Sequence, residues 1–185
     1  MTERLALAPA SSWVAPELSV CDGDDRLTFR IQDAFNFHGY DAAGGVVLGF
    51  RLLQRAAALL SPDALPERRG FSLFTSFPGL GARDCFELVT RMVSGGRFRL
   101  DTGFEDTVAQ PGVEGRFHFD FGYDGRRVVL APVEGYPVPE FIALGKASKR
   151  PGFTAEQQLA WRNAKITLAN TLLRASADQV IRVIG

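Results

Sequence analysis

Between Gly45 and Leu60 apolar residues return every three to four positions: Val46, Leu48 or Gly49, Leu52, Leu53, Ala56, Leu59 and Leu60. Arg51, Gln54 and Arg55 fall away from most of them, which is the stripe of an amphipathic helix. Upstream, two periods compete. Leu27, Phe29 and Ile31 alternate as in a strand, whereas Leu27, Ile31, Ala34 and Phe35 fit a helical face; the helical reading is preferred, with Asp24 or Asp25 as cap and an end near Phe37. The residues before it, 1–24, carry Pro9, Ser11, Ser12 and Pro16 and are expected to form an irregular arm anchored by Trp13.

Downstream, Gly70–Phe77 alternates as a strand, Pro78-Gly79-Leu80-Gly81 reads as a loop, and Ala82–Val93 as a second helix stopped by Ser94-Gly95-Gly96. Arg97–Asp101 is a further strand, and the polar stretch 102–115, with Pro111 and Gly112, an exposed loop. Arg116–Phe121 and Arg126–Ala131 flank Asp124-Gly125, the pair that favours a two-residue hairpin turn. In that hairpin Phe117, Phe119 and Phe121 would face the core, and His118 and Asp120 would face out. Glu140–Ala147 suits a short helix, and Thr154 with Gln157 forms a capping box for a long one over Ala155–Ala175. A last short element spans Ser176–Ile184. These elements predict a single α+β domain over 1–185, with a mixed or antiparallel sheet of four to five strands, and a C-terminal helical region at 154–185.

Composition narrows the function classes. Lys+Arg and Asp+Glu are 21 each, so no global basic field favours nucleic acid. No apolar run approaches the roughly 20 residues that span a bilayer. Leu5–Ala10 is short for a signal core and is broken by Pro9, so a cytoplasmic protein is expected. Cys21 and Cys85 form no CxxC pair, and a disulfide between them is not expected in a reducing compartment.

Candidate chemistry centres on Phe37-His38-Gly39-Tyr40-Asp41, which leads through Gly44-Gly45 into the first clear helix. Free backbone amides at such a helix start face whatever lies in front, so Gly44-Gly45 either approaches an anionic or carbonyl group or is a plain loop. His38 is either a general base useful near neutral pH or a histidine bonded within its turn. Asp84 is read as a helix cap reciprocated by Glu87, Cys85 as a small buried hydrophobe, Met92 as core and His118 as a surface residue. Arg68-Arg69 and Lys146–Arg150 read as solvated basic faces.

Phe37-His38-Gly39-Tyr40, followed by Leu48-Gly49-Phe50-Arg51, resembles the N-terminal motif of the formylmethanofuran dehydrogenase E-subunit family. There Phe-His-Gly-His precedes a Gly/Pro loop and a helix opening Leu-Gly-Tyr-Arg. The run from Asp84-Cys85-Phe86-Glu87 through Thr90-Arg91-Met92-Val93 to Gly95-Gly96 is similar to the family's second motif, and the likeness spans about Phe29 to Val133. The departures fall on functional positions: the second His is Tyr40, the Cys is Met92, the Lys is Gly96, and no cysteine follows Cys85 to build a C-terminal zinc finger.

The resemblance implies a pocket between His38 and the Thr90–Gly96 turn, with His38, Tyr40, Asp41, Gly44, Gly45, Thr90, Met92, Gly95 and Gly96 as candidate ligand contacts. A divalent metal such as zinc wants about four ligands, and the remaining candidates are His38, Asp84, Cys85 and Glu87. It also implies a homodimer, with the apolar residues of the 155–175 helix as the contact. The leading expectation is a small-ligand binding or accessory protein linked to one-carbon metabolism whose family metal site is degraded. A metal-dependent one-carbon enzyme using His38 with nearby carboxylates, and a structural or interaction protein, are the alternatives.

Overall fold

The computed structural model describes residues 3–13 and 16–185. Residues 1–2 and 14–15 of the expected arm lie outside the described residues. Part of that arm is a strand: β1 (Glu17–Asp22) pairs antiparallel with β2 (Asp25–Arg30) in a separate hairpin turned at Gly23, where φ is +63°. Leu18 and Val20 make too short an alternation to read against Pro16 and Ser19, yet Val20 is fully buried.

The ambiguous stretch resolves into both of its patterns. Leu27 and Phe29 alternate along β2, and the chain passes directly into α1 (Ile31–His38), whose buried side is Ile31, Ala34 and Phe35. Asp33 accepts the Arg30 amide at 2.7 Å and caps the change of direction.

α2 (Ala43–Leu60) is the central helix, and 72% of it is buried. It is the one helix among the described residues with the length and hydropathy to cross a bilayer, and it runs through the protein core instead. It packs on α1, on α3 (Leu80–Thr90) and on α5 (Ala155–Leu173). Glycines set the α2–α3 distance: a Cβ at Gly49 would stand 2.7 Å from Ala82 Cα, and one at Gly81 would stand 2.9 Å from both Ala42 O and Val46 N.

The main sheet has the order β4-β3-β5-β6-β7, comprising β3 (Ser72–Thr75), β4 (Phe98–Leu100), β5 (Phe119–Tyr123), β6 (Arg126–Pro132) and β7 (Ile181–Val183). β3 and β4 are parallel and the other pairs antiparallel, so the fold is α+β with a mixed sheet. Its helix-facing side supplies Leu73, Phe119, Phe121 and Leu130 to the core, with Phe117 just ahead of β5. Asp124 and Gly125 both have positive φ, the type I′ turn expected for Asp-Gly. α4 (Pro139–Ala147) and α5 follow, the latter with the expected Thr154–Gln157 capping box; α6 (Ala177–Val180) leads into β7.

Arg51 and Arg68 overturn the expectation of solvated positions, and Arg97 joins them in serving a helix end. Arg51 is 2% exposed; its Nε donates to Leu172 O at 3.1 Å and its Nη2 to Leu173 O at 3.3 Å, so the guanidinium caps the last turn of α5. Burial pushes Arg51 down to about 10, still a cation at neutral pH. Arg68, also buried, donates to Leu88 O and Val89 O. Arg97 donates to Thr90 O and Arg91 O, both at 3.0 Å. α3 accordingly ends at Thr90, short of the expected Val93, with Arg91 in the left-handed region.

His118 and Asp120 do lie on the sheet's outer side, but neither is exposed. Loop 101–115 folds back over that side: Phe104 packs 4.9 Å from the His118 ring, and Asp106 Oδ2 meets His118 Nδ1 at 2.5 Å. Arg127 covers Asp120 through two side-chain hydrogen bonds. The α5 residues Ile166, Leu172 and Leu173, expected at a dimer contact, are buried within the chain, where α5 packs on α2. A polar side of α5 receives the arm, with Leu5 N donating to Asn163 Oδ1 at 2.9 Å and Ala8 N to Asn170 Oδ1 at 2.8 Å. Trp13 packs against the core, as expected of the arm's anchor.

Candidate functional site

α1 ends in the turn singled out by its sequence. Gly39 takes φ +90° and closes onto Phe35 O, while Tyr40 doubles back to stack on the Phe35 ring at 5.0 Å. The Tyr40 hydroxyl accepts from Gln32 Nε2 at 2.9 Å. This places His38 against the middle of α3, where its Nδ1 stands 2.7 Å from Asp84 Oδ2. The pair is partly sheltered, with side chains 13% and 36% exposed.

The other proposed metal ligands do not converge on it. Successive helical residues turn by about 100°, so Cys85 leaves the Asp84 face and enters the core, where it is 1% exposed. Burial, then the neighbouring Asp84 charge, pushes its thiol far above the usual range, which opposes a thiolate. Glu87 serves the end of the helix, accepting from the amides of Val93 and Ser94 and from the Ser94 hydroxyl. Burial alone would raise its carboxyl; the Ser94 and Val93 bonds and Arg91 outweigh that and hold it below its ordinary value. Among the described residues no three His, Cys, Asp or Glu side chains group to hold a metal. Asp84 is also not the helix cap, since α3 begins after Gly79.

The Thr90–Gly96 turn belongs to the far end of α3, about 9 Å along the axis from Asp84 at 1.5 Å per residue. Thr90 is fully buried and donates to Phe86 O at 2.7 Å; Met92 is fully buried in the core; Gly95 and Gly96 sit in an exposed turn. Packed side chains thus enclose Thr90 and Met92 at this end of the helix. Cys21 and Cys85 are free thiols.

A cleft opens instead at the other end of the α2–α3 contact. Its volume is about 320 Å³, within the usual small-ligand range. Gly44 and Gly45, two of the expected contacts, line it, together with Gly79–Gly81 at the start of α3. Neither helix start has a side-chain cap or an acidic residue in its first turn, so first-turn amides are left without an intrahelical acceptor. Two aromatic pairs border it: Phe77 with Phe117 at 4.7 Å, and Phe141 with Trp161 at 4.6 Å.

Two lysines reach the same space. Lys149 bridges to Glu114 of loop 101–115, and both line the cleft. Lys165, only 16% exposed, holds its Nζ 5.6 Å from the Trp161 ring centre and 3.3 Å from Asp41, whose side chain is 93% exposed. Asp41 thus touches a cleft residue without lining the cleft. His38, Tyr40, Thr90, Met92, Gly95 and Gly96 do not border it.

The sequence reading missed Phe141 and Lys165, took Lys149 as part of a solvated basic face and Trp161 as part of a dimer-contact helix; the four join the site only through the packing of α4 and α5. One signal was available. Pro78-Gly79-Leu80-Gly81 has the same glycine-rich lead into a helix that drew attention to Gly44-Gly45. No protein-family model matches the chain, and no curated protein matches it.

Proposed function

We propose that this protein binds a small organic molecule in the cleft where α2 and α3 begin. The observation that carries the reading is one cavity of about 320 Å³ bordered by two aromatic pairs and two uncapped, glycine-rich helix starts. Apolar walls with a few placed polar groups are what a small-ligand site requires. The resemblance to the formylmethanofuran dehydrogenase E-subunit family belongs to this proposal. Its support is the shared order of elements and the encounter of the two motifs through His38 and Asp84. A cytoplasmic homodimer with a role in one-carbon metabolism is the context this resemblance suggests.

The test is a fragment screen by ligand-observed NMR, repeated on Ser148→Trp, whose indole would enter the mouth of the cleft at the end of α4. Hits should be lost in the variant while its melting temperature stays near that of the parent. Hits that survive the substitution overturn the reading.

The 2.7 Å contact between His38 and Asp84 supports a second reading, in which Asp84 orients His38 as a general base. Turnover that survives His38→Gln would dismiss it.

A further inference from the structure

We infer that the ligand is an organic anion with a flat, apolar body, and that Lys165 and Lys149 receive its charged end; the inference rests on the cleft being the binding site. The cleft-lining charges are two ammonium groups and one carboxylate; the second carboxylate, Asp41, pairs with Lys165 from outside the lining. The walls are mostly aromatic or aliphatic, and a cation beside such walls attracts an anion more strongly than one in open water.

The two lysines are held by partners that an incoming anion can replace. Lys149 and Glu114 are each about half exposed, at 55% and 49%, and surface pairs of this kind contribute little to stability. Lys165 is covered, yet its carboxylate partner Asp41 is almost wholly in solvent and reaches it only at 3.3 Å. A ligand carboxylate would take over the Lys149 contact, releasing Glu114 and with it the part of loop 101–115 that carries Val113 over the cleft. Trp161 already accepts Lys165 against its ring, and a planar body would lie in the space that Trp161 and Phe117 border. Uncapped first-turn amides of α2 add the same electrostatic preference.

The experiment compares 2-naphthoate with the uncharged 2-naphthalenemethanol by heteronuclear NMR titration at pH 7. The readouts are the amides of Gly44 and Gly45 and the indole N–H of Trp161. The acid should bind at least tenfold tighter than the alcohol. Lys165→Met should bring the acid down to the affinity of the alcohol, and Lys149→Met should narrow the gap; Lys165→Arg should restore the preference. Equal affinity of the two probes, or a preference that survives Lys165→Met, overturns the inference while leaving the cleft as a site for neutral ligands. Absence of any shift by the acid, in a protein whose Ser148→Trp variant does lose neutral fragments, has the same meaning. Neutral fragments that ignore Ser148→Trp remove the cleft itself.

Discussion

His38 Nδ1 lies 2.7 Å from Asp84 Oδ2, joining the last residue of α1 to the middle of α3. The contact fastens α1 to α3, and neither residue lines the cleft at Gly44 and Gly45. His38→Ala is therefore expected to cost about 1 kcal/mol, roughly 2–4 °C in Tm for a chain of this size. It should leave the affinity for 2-naphthoate unchanged. Parallel thermal melts and titrations check this, and a tenfold loss of affinity would return His38 to the binding site.

Arg51 makes a different kind of connection. Replacing it by Met would keep the stem and remove the donors that serve Leu172 O and Leu173 O. Leaving such groups unmet at a buried helix end should destabilise the protein by about 2–4 kcal/mol. Urea denaturation of Arg51→Met measures the loss. Parent-like stability would mean that water replaces the guanidinium without cost.

Loop 101–115 should loosen in acid. Burial alone would raise the Asp106 carboxyl; bonds from His118 and from the amides of Val108 and Ala109 outweigh that and hold it below its ordinary 3.8. A carboxyl depressed in the folded state adds stability that is complete above 3.8 and disappears as pH falls through the lower, folded value. Protection factors at Val108 and Ala109, taken against the intrinsic exchange rate at each pH, should fall below pH 3.8, and in Asp106→Asn they should already be low at neutral pH. Unchanged protection in the variant would show that Phe104 packing alone holds the loop.

Two glycines of α2 should respond in opposite ways to the same change. A methyl at Gly49 meets Ala82 Cα at 2.7 Å and must push the helices apart, costing about 1–3 kcal/mol. At Gly45 the nearest neighbour is Ala82 N at 3.7 Å, an ordinary contact, and alanine should stabilise the helix by about 0.5–1 kcal/mol. Chemical denaturation of Gly45→Ala and Gly49→Ala gives both signs. Equal effects would contradict the close α2–α3 approach.

Much of the fold was legible where a single period ran uninterrupted, as along α2, or where turn chemistry was unmistakable, as at Asp124-Gly125. Leu27, Phe29, Ile31 and Phe35 show the opposite case. Both competing patterns were real, one after the other, with no intervening loop to mark the switch. Arg51 and Arg68 could not be read because their partners are carbonyls at the ends of helices remote in sequence, and Arg97 because it turns back on the end of the preceding helix. Burial of His118 was hidden for a related reason: alternation fixes the side of a strand, and only the folded loop decides what covers it. For the site, Gly44 and Gly45 were visible as a helix start, whereas Trp161 and Lys165 needed the three-dimensional placement of α5.

Asn163 and Asn170, one heptad apart, grip the backbone of residues 3–8 at sequence separations near 160. During synthesis on the ribosome, that early segment has no seat until α5 has emerged. Its docking is then among the last steps of maturation, and a protease acting on nascent or refolding molecules would find residues 3–8 long after the core had become resistant.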